Sequence, residues 1–152
     1  YEFPARGDLP ALTLTWYDKN KKPPVELFEG EEMSDSGSLI VGENGKLYSP
    51  GDSGDSIRLL PRAKFEGFKR PDQTIPRSPG HHQEWINACK GGPPAMSNFN
   101  YSGPLTETVV LGNVAMRVPG VKLQWDAENL KVTNNEDANK YVRREYREGW
   151  TL

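Results

Sequence analysis

Residues 79–120 read PGHHQEWINACKGGPPAMSNFNYSGPLTETVVLGNVAMRVPG, and this stretch decides the fold because it predicts two helices joined by an ordered loop. Ser78 suits the cap of the first helix, and Pro79 suits its first position, where no amide donor is needed. Gly91 or Gly92 can take the left-handed position that ends this helix. The residues of its apolar stripe recur at helical spacing: His82, Trp85, Ile86 and Cys89.

The second helix is predicted to begin near residues 102–104 and to stop at Pro119 and Gly120. The side chains that it is expected to bury are Leu105, Val109, Val110, Val114 and Ala115. Neither helix pairs a nucleophile with a base. The two helices are therefore interpreted as a platform rather than as a catalytic centre.

The residues before the first helix predict strands. Residues 11–17 alternate, with Leu12, Leu14 and Trp16 expected to face the helices and Thr13, Thr15 and Tyr17 expected to face outward. Residues 38–49 predict a hairpin that turns at Asn44 and Gly45. A further strand is predicted at residues 56–60 and one helical turn within 61–68. The proline-rich residues 69–79 predict an extended segment.

After the second helix, residues 122–125 and 131–133 predict two short strands, and Asn134 or Asn135 is expected to cap a final helix. The last turn of that helix is expected to contain Arg143, Arg144 and Arg147, as the helix dipole favours. The order of strands and helices predicts one α+β domain over residues 1–152. Its fold class is an open, mostly antiparallel β-sheet with helices packed on one face.

Composition and charge exclude several classes of protein. The net charge of -2, without a block of like charge, argues against nucleic-acid and anionic-membrane partners. The single cysteine excludes an internal disulfide and a cysteine-rich zinc site. No apolar run approaches the roughly 18 residues of a membrane span.

His81 and His82 are the adjacent residues that most suggest a functional site. Adjacent helical positions point about 100° apart, so the two rings do not readily chelate one metal ion, and no metal site is predicted. Two interpretations stay open: one ring packs beside Trp85 while the other faces solvent, or the pair binds a substrate. Cys89 is expected to be a small core residue.

Aromatic residues allow two interpretations as well. Trp16, Trp125 and Tyr101 could form a sugar-stacking surface, or they could pack in the core or an interface. Trp125 is expected in the core, between strand 122–125 and the second helix. No glycine-rich loop follows a strand, so no dinucleotide-binding element is predicted in these residues.

Several blocks together resemble the C-terminal part of the Gfo/Idh/MocA oxidoreductases, in the bacterial branch with its own type of C-terminal domain. They are EFPARGDLPALTLTWYD (2–18), GSLIVGENGKLYSPG (37–51), LLPR (59–62), IPRSPGHHQEWINACKGG (75–92), SNFNYSGPLTETVVLGNVAMRV (97–118), LQWDAENLKVTN (123–134) and ANKYVRREYREGW (138–150). The resemblance runs nearly end to end, and the combination of blocks is specific although no single block is.

The resemblance implies that the chain is the C-terminal domain of a longer, two-domain dehydrogenase. The parent would use NAD or NADP to transfer hydride to or from a carbinol of a sugar or cyclitol. The family's cofactor loop, lysine motif and catalytic helix would precede Tyr1, so no catalytic or cofactor-binding residue is assigned here and no cofactor is expected in the fragment. His81 and His82 are candidate substrate-binding residues because they match the helix-start motif of this branch.

The resemblance also implies homo-oligomers that associate through the free sheet face, with Thr13, Thr15 and Tyr17 as candidate interface residues. The alternative function is a non-catalytic module that binds a carbohydrate or a partner through the same face. Members of this branch often carry export signals, so a periplasmic and a cytoplasmic location both stay open.

Overall fold

The structure, a computed structural model, describes residues 1–150, which fall into two units, one of Tyr1–Asp72 and one that begins at Gln73. All strand pairs are antiparallel, and they occur together with helices, which confirms the α+β class. Within residues 1–150 the strands pair in three short sheets of two, three and two strands. This differs from the single sheet that we predicted, because most of the expected strands are only two or three residues long.

The first unit contains five strands and two 3₁₀ turns. The strands are β1 (Glu2–Phe3), β2 (Leu12–Thr13), β3 (Gly37–Gly42), β4 (Gly45–Pro50) and β5 (Arg58–Leu60), and the turns are Val25–Phe28 and Arg62–Phe65. Strands β3, β4 and β5 form a meander in sequence order. The predicted hairpin and the predicted helical turn within residues 61–68 are both confirmed.

The hairpin turn lies one residue earlier than predicted. Gly42 pairs with Gly45, so Glu43 and Asn44 are the two turn residues and Gly45 opens β4. Gly45 has a φ of +153°, and a Cβ there would lie 2.5 Å from Cζ of Phe65. Gly45 therefore serves both the backbone conformation and the close approach of the Phe65 ring.

The core of the first unit consists of Phe28, Tyr48 and Leu60. The rings of Phe28 and Tyr48 meet edge to face, with centroids 5.0 Å apart. The Tyr48 hydroxyl accepts the backbone N–H of Ser34 at 2.8 Å, so the buried ring also has its polar end satisfied. These contacts hold residues 28–34 across the β3–β4–β5 meander.

The predicted strand over residues 11–17 is shorter than its alternating pattern indicated. Strand β2 contains only Leu12 and Thr13, which lie opposite Phe3 and Glu2, and after it Leu14 exchanges two hydrogen bonds with Tyr1, of 2.9 and 2.8 Å. The face predicted to be covered by helices is largely exposed, since Leu12 and Trp16 are 57% and 65% exposed. The expectation of burial is therefore wrong for these two residues, because the first unit contains 3₁₀ turns but no α-helix that could pack on this face.

The second unit contains α1 (His81–Cys89), α2 (Phe99–Arg117), β6 (Trp125–Asp126), β7 (Lys131–Val132) and α3 (Glu136–Asn139). Helix α1 begins two residues later than predicted and Ser78 is not its cap. Gly80 occupies the cap position, and its backbone angles, φ +116° and ψ 143°, lie outside the helical range. Ser78 instead accepts the Gly80 N–H on its hydroxyl at 3.1 Å. The predicted stop is confirmed, since Gly91 has a φ of +84°.

Helix α2 begins earlier than predicted, and its core face is smaller. The Asn98 side chain caps it by accepting the Asn100 N–H at 3.0 Å, which leaves Pro104 inside the helix. Of the five side chains expected to be buried, only Val114 is. Val114 packs with Val132 and Ala138, and the partly buried side chains around them are Val118, Leu123, Trp125 and Val142.

The final helix is shorter than predicted. Asn135 caps α3 as expected, with its side chain accepting the Ala138 N–H at 3.2 Å. Helix α3 ends at Asn139, whose side-chain amide accepts the Val132 N–H at 2.8 Å and donates to the Val132 carbonyl at 2.9 Å. The prediction that three arginines form its last turn is wrong: Arg143, Arg144 and Arg147 lie in an irregular segment after α3.

Among the helices of residues 1–150, none combines the length and the apolar character needed to cross a membrane.

Candidate functional site

A surface pocket of about 250 Å³ lies at the start of α1. Helix α1 and the loop that follows it line this pocket with His81, His82, Glu84, Trp85, Ala95 and Ser97. The predicted site residues His81 and His82 therefore lie together in a concave surface, beside an indole and a carboxylate.

Glu84 builds the pocket by joining its two walls. Its carboxylate oxygen Oε2 accepts the backbone N–H of Met96 at 3.0 Å, which fixes the loop 95–97 against the first turn of α1. The pKa of Glu84 is held below its ordinary value, first by a hydrogen bond from the Ser78 hydroxyl, then by the Met96 N–H, and further by the nearby His81. Glu84 is therefore ionised at neutral pH and holds three chain segments together.

His81 and His82 present their rings near one another without the geometry of a metal site. The ring centroids are 6.0 Å apart with the planes at 78°, and both residues are exposed. Among the residues that the structure describes, no group of three or more histidine, cysteine, aspartate or glutamate side chains could hold a metal ion. Imidazole nitrogens can donate or accept hydrogen bonds, and both exposed rings are accessible to do so from the pocket.

Trp85 supplies the apolar surface of the pocket. It is 65% exposed, so its expected burial in a core stripe is wrong, and His82, Ile86 and Cys89 on the same stripe are also exposed. The stripe lacks a covering element within the described chain. Cys89 is therefore not the core residue that its position in the stripe predicted.

The far end of α1 is fixed by the two glycines that the sequence indicated. Gly92 donates its N–H to the Asn87 carbonyl at 3.0 Å, and a Cβ on Gly92 would lie 2.8 Å from that oxygen. The Gln83 side chain donates to the Asn87 side chain at 2.8 Å, one helical turn away. This rigid short helix positions Trp85 and the two histidines.

The described residues lack the Rossmann type of dinucleotide-binding unit. In that unit a strand leads directly into a glycine loop and a helix N-terminus. The strand before α1 ends at Leu60, and about twenty residues without a helix of α type separate it from His81. No step of a reaction is assigned to a cofactor bound by these residues.

The predicted interface residues lie in the other unit. Thr13 belongs to β2, Thr15 and Tyr17 follow it, and all three are exposed. They are at the surface as expected, but the same is true of Leu12 and Trp16 on the opposite side of the segment.

Comparison of the chain with protein-family models, with curated proteins and with solved structures returned no match. The resemblance to the Gfo/Idh/MocA oxidoreductases therefore depends on the sequence blocks alone.

Sequence reasoning missed Glu84 and Ser78 as the residues that shape the pocket. The signal for Glu84 was its place in the first turn of α1, three residues after His81, but its partner Met96 lies twelve residues along the chain in a loop. Nothing in the periodicity of α1 indicates which loop residue will form a hydrogen bond with Glu84.

Proposed function

We propose that the chain is the C-terminal substrate-site and oligomerisation domain of an NAD(P)-dependent oxidoreductase of the Gfo/Idh/MocA type that acts on a sugar or cyclitol. The observation that carries this proposal is the pocket at His81, His82, Glu84 and Trp85. It lies within the block IPRSPGHHQEWINACKGG, one of the blocks on which the resemblance depends. The concave surface and the resemblance thus point to the same residues.

The chemistry of the pocket suits a polyhydroxylated ligand. The exposed face of Trp85 can pack on the C–H face of a sugar or cyclitol ring. The imidazole nitrogens of His81 and His82 can donate to or accept from hydroxyl groups. A carboxylate has roughly four acceptor sites, so Glu84 can accept a ligand hydroxyl while it keeps the Met96 N–H.

In this proposal the chain binds and orients the substrate, and the hydride acceptor belongs to another part of the parent protein. NAD or NADP would bind outside residues 1–152, together with the catalytic groups. The short sheets described above would belong to a larger open, mostly antiparallel sheet with helices on one face. The chain alone would then be inactive as a dehydrogenase.

The large exposed surface supports a role as part of a larger assembly. The accessible surface is 13389 Å², whereas a globular protein of 17.1 kDa exposes about 7,750 Å², and two separate globules of half that mass about 9,300 Å². The excess includes many large apolar side chains. Association through the sheet face at Thr13, Thr15 and Tyr17 is one part of this proposal.

A second candidate function is a non-catalytic module that binds a carbohydrate or a partner through the surface of β1 and β2. The observation that favours it is the exposure of Trp16, which at 65% equals that of Trp85. An exposed indole beside the polar residues Thr15 and Tyr17 offers a second stacking surface.

The two tryptophans give a matched test. A panel of hexoses and cyclitols at millimolar concentration is titrated into the ¹⁵N-labelled chain, with the side-chain indole N–H signals and the imidazole signals as readouts. We expect Trp85→Ala or His82→Ala to weaken the binding of a panel member by about tenfold or more, and Trp16→Ala to leave it unchanged. The reverse pattern favours the second candidate, and failure of every panel member to bind contradicts carbohydrate binding by either surface.

The proposal that the nicotinamide cofactor binds outside this chain has a separate test. Calorimetric titration of the chain with NAD, NADP and their reduced forms should give no heat of binding, because the strand–loop–helix unit is absent from the described residues. A micromolar dissociation constant for any of the four would contradict the proposal.

A further inference from the structure

Helix α2 is apolar on two opposite sides. One side packs inside its own unit: Val114 lies in the core cluster, and Glu107 accepts the Trp125 indole N–H at 2.6 Å. At about 100° per residue, the residues of a second stripe lie within an arc of roughly 80° on the other side of the helix. They are Tyr101, Leu105, Val109, Gly112 and Met116.

The second stripe is exposed and carries no charge. Tyr101, Leu105, Val109 and Met116 are 63%, 52%, 46% and 67% exposed. The charged residues of α2 are Glu107 and Arg117, and neither lies in the stripe. The stripe runs for about 22 Å along the helix, and a helix that is apolar on both sides is expected to be buried on both.

Thr108 extends this apolar surface rather than interrupting it. Its position on the helix is next to the stripe, and its hydroxyl donates to the Pro104 carbonyl at 2.9 Å within the helix. The hydroxyl hydrogen is thus already satisfied, and covering this part of α2 would leave no donor of Thr108 unpaired.

We propose that α2 pairs antiparallel with α2 of a second copy of this chain, about a two-fold axis beside Thr108 and Val109. The stripe is self-complementary in this register. Leu105 of one copy faces Gly112 of the other, so a large side chain meets a position without one. Tyr101 faces Met116, a favourable pairing of an aromatic ring with a thioether.

A second copy fits this surface better than a charged partner does. A two-fold contact places the same patch on both sides, and a stripe without charges brings no like charges together. The proposal uses a different surface from residues 13–17 and does not depend on the dehydrogenase proposal.

The mass in solution tests the surface. Light scattering at tens of micromolar should give at least twice the chain mass of 17.1 kDa. The double variant Leu105→Lys, Val109→Lys should halve the mass of the parent assembly with an unchanged far-ultraviolet dichroism spectrum, since both residues are exposed. The matched control Thr106→Lys, Asn113→Lys changes exposed residues on another side of α2 and should keep the parent mass. A monomeric parent chain, or an assembly whose mass the α2 lysines leave unchanged, overturns the proposal.

Crosslinking tests the register. In a Cys89→Ser background, Thr108→Cys lies beside the axis and should give a disulfide-linked dimer on mild oxidation. Thr106→Cys lies on another side of α2 and should not. A dimer that crosslinks through position 106 and not 108 has a different interface and also overturns the proposal.

Discussion

The indole nitrogen Nε1 of Trp125 donates a hydrogen bond of 2.6 Å to the carboxylate oxygen Oε1 of Glu107. This bond joins β6 to the middle of α2, beside the core cluster of Val114, Val132 and Ala138. Trp125 therefore lies against the second helix as predicted, but it is partly buried at the edge of the cluster and not in the core. Its ring is held by the hydrogen bond at its polar end as well as by apolar contact.

Two substitutions of Trp125 should therefore separate the effect of the hydrogen bond from that of the apolar contact. Trp125→Phe keeps most of the apolar contact but leaves Glu107 without its donor, and we expect a loss of about 1 kcal/mol in the free energy of unfolding. Trp125→Ala should cost about 2 kcal/mol, less than a fully buried tryptophan, because the side chain is only half-buried. Urea unfolding monitored by circular dichroism measures both. Equal losses for the two variants would show that the hydrogen bond alone matters.

Tyr48→Phe should destabilise the first unit by about 1–2 kcal/mol, because the Ser34 N–H loses its acceptor in a buried setting. Tyr48 is 2% exposed, and its hydroxyl lies 2.8 Å from the Ser34 nitrogen and 2.9 Å from the Ser34 hydroxyl. The matched control Tyr146→Phe removes an exposed hydroxyl and should change stability by less than about 0.5 kcal/mol. Denaturant unfolding would contradict this expectation if the two variants were equally stable.

Two glycine substitutions should differ in size of effect. Gly45→Ala places a methyl group 2.5 Å from Cζ and 2.7 Å from Cε2 of Phe65, and we expect a loss of about 1–3 kcal/mol. Gly103→Ala, in α2, has no positive φ and meets nothing within 4 Å beyond its chain neighbours, but Pro104 follows it, and a Cβ before proline disfavours the helical conformation. This offsets the gain in helix propensity, so we expect a change below about 0.5 kcal/mol. Thermal melts of both variants measure the difference. A stable Gly45→Ala protein would mean that the Phe65 ring moves freely.

The pocket should loosen at acid pH. Since the folded-state pKa of Glu84 is below its ordinary value, its contribution is fully present above the ordinary carboxyl range and is lost as pH falls through the lower folded value. Protonation reduces the ability of the carboxylate to accept the Met96 N–H and the Ser78 hydroxyl.

Amide chemical shifts and hydrogen exchange of Met96 measure this change directly. Met96 should titrate with Glu84 in the parent chain, and Glu84→Gln should remove the titration and speed the exchange of the Met96 amide at neutral pH. Glu66→Gln, in the other unit, is the control and should leave Met96 unaffected. A Met96 amide that titrates unchanged in Glu84→Gln would contradict the assigned contact.

Local signals in the sequence predicted local structure well. The hairpin, the glycine end of α1 and the Asn135 cap depend on residues within a few positions of one another, and all three are present. The hairpin turn lies one residue earlier than predicted, and the local signal did not show that Gly45 lies against the ring of Phe65, twenty residues away along the chain. The start of α1 also differs because Gly80 adopts a backbone conformation that Pro79 does not reveal.

Burial was harder to predict than secondary structure. Apolar periodicity identified the stripe with Trp85 and the side chains of α2 such as Leu105, but periodicity records only that a face is apolar. It does not say whether the covering surface belongs to the same chain. For the site, the sequence indicated His81 and His82, whereas Glu84 became visible only through its contact with a loop.

The β3–β4–β5 meander joins neighbours in sequence through short connections, and the Arg62–Phe65 turn follows β5 directly. Little chain entropy is lost in closing such short loops, and folding rates rise as contacts become more local. On a ribosome, this segment would have all of its pairing partners before α2 is synthesised. It can therefore be folded while the apolar stripe of α2 is still emerging.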